Sequence, residues 1–103
     1  MSAKREREDE TILGEADRLV NGPRQEAYGR PLLSFRRTAQ IWSAILDKEV
    51  TPQQVALCMV GLKLLREANN PSRDSRVDGA GYFAVTDLIM QDLAEEQRVS
   101  DDH

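Results

Sequence analysis

The chain has 103 residues, 40% of them hydrophobic and 31% charged, with a formal net charge of −4. That length suits one domain, the composition suits a globular rather than a disordered chain, and the acidic balance weighs against a non-specific nucleic-acid binder, which carries a basic face. One cysteine, Cys58, excludes an intramolecular disulfide, and one histidine, His103, argues against a His-based zinc site or a Ser-His-Asp triad.

Residues 1–10 are charged and polar, with no apolar run behind them, and no stretch approaches the ~20 apolar residues of a membrane span. The expectation is a cytoplasmic protein with a charged extension over 1–10. From Thr11 to Val20, the positions Ile12, Leu13, Ala16, Leu19 and Val20 form a helical stripe that Asn21-Gly22-Pro23 ends. Residues 21–31 make a long connector holding two Gly, two Pro, two Arg and Tyr28.

A second helix is expected over 33–46, with Phe35, Ala39, Trp42 and Ile45 facing the core. Thr51-Pro52-Gln53-Gln54 then reads as a capped helix start, with Pro at the first helical position and Gln54 completing a capping box. The third helix, 52–68, is apolar nearly all round from Val55 to Leu65, a pattern for a central helix or one at a subunit interface. Cys58 lies in that run and reads as core. After Asn69-Asn70-Pro71, Asp74 or Ser75 is the expected cap of a fourth helix over 76–95, whose stripe is Val77, Ala80, Gly81, Ala84, Val85, Leu88 and Ile89. Residues 97–103 read as a disordered polar tail, which leaves one α-helical domain over 11–96. Helical stripes without a strand signal predict an all-α, four-helix bundle-like domain. A core this small is marginal alone, so a homo-oligomer is expected.

Three groups of residues carry potential chemistry. Lys63 and Arg66 share a helix face at the end of an apolar run; they either serve a site or reach solvent, with Lys63 paired to Glu67 one turn on. Asp74, Asp78 and Tyr82 are each four apart, so a helix starting by Asp74 places them on one face. Two carboxylates one turn apart suit a divalent cation, and they equally suit simple stabilisation of a helix start. In the connector, Arg24 and Gly29 suit phosphate contact and Tyr28 suits stacking, or the segment is a rigid packed corner. A ligand with a phosphate chain, a metal and a flat base would use all three groups.

The set Asn21-Gly22-Pro23-Arg24-Gln25-x-x-Tyr28-Gly29, Phe35-x-x-x-Ala39-x-x-Trp42, Thr51-Pro52-x-x-Val55-Ala56, Lys63-x-x-Arg66 and Asp74-Ser75-x-x-Asp78-x-x-Gly81-Tyr82 resembles a small all-α domain family of bacteriophage and prophage genomes. That family is in turn distantly similar to the MazG-type NTP pyrophosphohydrolases, which are helical oligomers that use Mg²⁺ held by carboxylates. The resemblance implies a MazG-like fold and a nucleotide ligand. It implies Mg²⁺ held by Glu67, Asp74 and Asp78, with Asp74 and Asp78 as the catalytic carboxylates. Lys63, Arg66 and Arg24 would grip phosphates, and Tyr28 and Tyr82 would line the ligand. The sequence departs from the enzymes on the second helix: residues 33–46 hold no acidic residue where they carry Glu-x-x-Glu, and Arg36 and Arg37 stand there. Either a metal is held differently, or the fold binds nucleotides without hydrolysing them. A third reading, an interaction module without a ligand, treats the same residues as caps and corners.

Overall fold

A 29-residue helix dominates the structure, a computed structural model that describes residues 9–23 and 29–102. The described helices are α1 (Ile12–Asn21), α2 (Leu32–Leu46), α3 (Pro52–Asn69) and α4 (Arg73–Asp101), and no strand occurs among the described residues. At 1.5 Å per residue α4 sets the long dimension, and the molecule measures 49 × 30 × 18 Å. α3 and α4 form an antiparallel hairpin with the most extensive contact in the chain. α1 lies on α4, and α2 packs chiefly on α3.

Each helix start has a local cause. Thr11 Oγ1 accepts the Gly14 N–H at 2.9 Å and begins α1. The expected capping box opens α3: Thr51 Oγ1 accepts the Gln54 N–H at 3.2 Å, and Gln54 Oε1 accepts the Thr51 N–H at 2.9 Å. Between them α2 ends on Asp47, whose φ of +53° is the left-handed closure more often made by glycine. The following turn is fastened by Ser43 Oγ, which accepts the Val50 N–H at 2.8 Å.

The core joins Leu32 of α2, Ala56 of α3 and Ile89 of α4, with Phe35, Val85 and Leu93 packed around it. Ala16 and Val77 are buried where α1 meets α4. The α4 stripe reads as expected, since none of its seven residues is exposed.

Several expectations change. The cap of α4 is Ser72, neither Asp74 nor Ser75: Ser72 Oγ accepts the Ser75 N–H at 3.1 Å, and the helix begins at Arg73. The cause lies upstream, where Glu67 Oε1 accepts the Ser72 N–H at 2.9 Å and holds Ser72 outside the helix. The tail is helical through Asp101, supported by one-turn pairs such as Arg98 with Glu95 and Gln97 with Asp101. Cys58 is exposed, because the face of α3 that meets α4 centres on Ala56 and Val60, and Cys58 points elsewhere on the wheel. Ile45 is exposed in the last turn of α2, and Trp42 is only partly buried.

Candidate functional site

The third and fourth helices bring together residues that the sequence separates. Because α4 runs back along α3, Lys63 meets Asp78 fifteen positions on, and Lys63 Nζ lies 3.0 Å from Asp78 Oδ2. Both side chains are largely covered, at 15% and 11% exposure. A methyl added at Gly79 would rest 3.7 Å from Lys63 Cβ, so α4 presents a flat step beside the lysine stem. In that environment the charges support each other more than an exposed pair does.

Two concavities share this ion pair as a wall. The first, of about 370 Å³, is polar. Lys63, Arg66 and Asn69 come to it from α3, Asp74, Ser75 and Asp78 from α4, and Asn70 and Ser72 from the turn between them. The second, of about 630 Å³, has largely apolar walls: Leu19 and Val20 of α1, Phe35 of α2, and Val77, Tyr82 and Val85 of α4, with Arg30 and Ser34 at the connector side. Both volumes fall within the roughly 300–1,000 Å³ usual for small-molecule sites.

The structure thus gathers Lys63, Arg66, Asp74 and Asp78 around one hollow and places Tyr82 in the adjoining cleft. The early start of α4 is what sets Asp74, Asp78 and Tyr82 on one face. Glu67 goes elsewhere. Its carboxylate accepts the Ser72 N–H and an Arg76 Nη1–H at 2.5 Å, and it does not line the polar hollow. The Ser72 N–H bond, with Arg76 adding to it, holds the Glu67 carboxyl below its ordinary value. Lys63 therefore pairs across the hairpin with Asp78, while Glu67 belongs to the turn. Arg24 and Tyr28 lie outside the described residues.

These positions do not fit a resident metal well. Asp78 is neutralised by Lys63, Glu67 is taken up by the turn, and no group of three His, Cys, Asp or Glu side chains suited to a metal occurs among the described residues. Asp74 and Arg66 line the hollow without an ion-pair partner among the described residues, and they are the charges open to a ligand.

Sequence reasoning missed two contributors. Glu15 is buried at 1% exposure on α1, and Arg73 Nε reaches its carboxylate at 3.1 Å while Arg73 Nη2 donates to the Glu10 carbonyl at 2.7 Å. This clasp ties α1 to the start of α4, beside both concavities. The signal was present: Glu15 falls three after Ile12 and four before Leu19, a charged residue at an inward position of the stripe. Arg30 is the other, lining the cleft while its Nε pairs with Asp92 at 2.7 Å.

Residues 11–90 match the family described as Domain of unknown function (DUF6378). The chain belongs to that family. Among its curated relatives is the Gene 55 protein of Mycobacterium phage D29, 37% identical over 87 residues, which are 84% of this chain and 58% of the relative. The Gene 55 protein of Mycobacterium phage L5 is 36% identical over 90 residues, 85% of this chain and 56% of the relative. The chain spans a little over half the length of these curated relatives. They bear out the phage side of the family resemblance. No solved structure matches the chain. No helix among the described residues is long and apolar enough to cross a membrane.

Proposed function

We propose that this phage-family domain binds a nucleoside phosphate, with its base and sugar in the apolar cleft and its phosphates in the polar hollow. The observation that carries the reading is the Lys63–Asp78 pair, which stands as the common wall of both concavities. A ligand that is flat and apolar at one end and anionic at the other matches that division. Tyr82 and Phe35 offer rings to the base. Arg66 and the N-terminus of α4 favour the phosphates, with the Lys63–Asp78 pair as the wall beside them. Asp74 would repel a bare phosphate chain, so the ligand suited to the hollow is one carrying its own Mg²⁺, with Asp74 beside the cation.

Binding without turnover is the version these residues favour. Hydrolysis in the MazG-type manner needs several carboxylates on a metal, and here Asp78 and Glu67 are engaged by Lys63, Ser72 and Arg76. The resemblance read from the sequence motifs is thus drawn on for the ligand class and not for the reaction.

The test is a thermal-shift screen of ribo- and deoxynucleotides with and without Mg²⁺, followed by chromatography of the recovered nucleotide. A ligand that binds only the folded state raises the melting temperature. The reading expects a shift that needs Mg²⁺, is lost in Arg66→Ala, and leaves the nucleotide intact. Release of pyrophosphate would turn the binding protein into a hydrolase. No shift with any nucleotide would remove the ligand class.

A further inference from the structure

The face of α3 turned away from α4 is apolar and open. Leu57, Leu64 and Leu65 are 45%, 66% and 58% exposed, Leu62 also lies open, and no charged residue occurs from Pro52 to Leu62. At about 100° per residue, Leu57, Gly61, Leu64, Leu65 and Ala68 fall on one arc that flanks the buried Ala56 and Val60 and reaches round to the outer side of α3. The adjoining α2 exposes Leu33, Ile41 and Ile45 on the side away from Ala39, with the exposed Arg37 standing between Leu33 and Ile41 in the same four-residue row. Together with Leu46, these apolar side chains leave open about as much surface as four to five free leucines, roughly 700–900 Å², which is what one partner contributes to an interface of standard size.

Gly61 sits at the centre of the α3 row. A methyl added there would meet nothing within 4 Å, so the chain's own packing does not require glycine. A mid-helix glycine weakens a helix relative to alanine. The residues around it are self-complementary: leucine stands four positions before it, at Leu57, and four after it, at Leu65. An antiparallel two-fold pairing centred on Gly61 sets Leu57 of each copy against Leu65 of the other, and glycine lets the two backbones close. Within α3 the stretch from Pro52 to Leu62 carries no charge to repel its copy.

We infer that the α2–α3 hairpin is a homodimer interface, with two copies of α3 crossing antiparallel at Gly61 to form a four-helix layer. This inference is independent of the ligand. It explains why α3 is apolar nearly all round: one face serves its own core and the other serves the second copy.

Light scattering on the eluting wild-type chain is expected to give twice the chain mass. Gly61→Gln is expected to elute as a monomer with unchanged helix content, since glutamine is the better helix former and has room in the single chain. Leu57→Lys alone is expected to be monomeric, because the register would bury its ammonium against Leu65 of the second copy. Adding Leu65→Glu is expected to restore the dimer, because the antiparallel register brings the two opposite charges face to face. A wild-type chain of single mass throughout the micromolar range would overturn the inference, and so would a Gly61→Gln dimer. Failure of the double variant to recover the dimer would overturn the antiparallel register.

Discussion

Lys63 Nζ lies 3.0 Å from Asp78 Oδ2 and closes the α3–α4 hairpin at the point where the polar hollow and the apolar cleft meet. The pair is mostly covered, so removing one partner leaves a charge with poor solvation. Asp78→Ala is expected to cost about 2 kcal/mol, between the values for exposed and buried pairs. Urea denaturation at neutral pH is the measurement, with a lower midpoint and an unchanged slope expected. The double change Lys63→Met with Asp78→Leu is expected to recover most of that loss. Losses that simply add would show that the two residues do not act as a pair.

The Glu15–Arg73 clasp makes a sharper demand, because Glu15 is almost wholly buried. Arg73→Met removes a compensating charge and the donor to the Glu10 carbonyl. It is expected to cost about 3 kcal/mol. Hydrogen exchange locates the damage: the amides of α1 are expected to lose protection while those of α3 keep theirs. Equal loss in both helices would mean that the clasp does not specifically hold α1.

Glu67 gives the fold an acid limb. Its carboxyl is held below the ordinary value first by the Ser72 N–H and then by Arg76. A depressed folded-state value means that the stabilisation is fully present above the unfolded-state value. It is lost as pH falls through that value toward the lower folded one. Glu67→Gln keeps the shape and removes the titration. Melting temperature followed from neutral pH to below the ordinary glutamate range is expected to fall less steeply in the variant than in the wild type. Parallel curves would contradict this role for Glu67.

The helices were legible in the sequence because their signals are local. The stripe from Ile12 to Val20, the Thr51 capping box and the α4 stripe each depend on residues within one or two turns. The misreadings arose where a distant side chain decides. Glu67 fixes Ser72 as the cap and moves the start of α4 to Arg73. Lys63 chooses Asp78 over the nearer Glu67 because the hairpin brings α4 alongside, which the i,i+4 rule cannot anticipate. Cys58 looked buried because an all-round apolar helix does not announce which face meets its own core. The gathering of Lys63, Arg66, Asp74 and Asp78 was legible as residue types, and only the fold gave it a shape.

The central claim is that the polar hollow receives the phosphates of a nucleotide. Calorimetric titration of the wild type and of Arg66→Ala with the Mg²⁺ complex of the best nucleotide from the thermal-shift screen tests it most directly. Arg66 is exposed and without an ion-pair partner among the described residues, so its removal leaves the fold alone. The expected result is saturable one-site binding by the wild type and affinity at least about tenfold weaker in the variant, in line with loss of a charge-assisted hydrogen bond of roughly 1.5–3 kcal/mol. Equal affinity in the two proteins, or no heat in either, would contradict the claim.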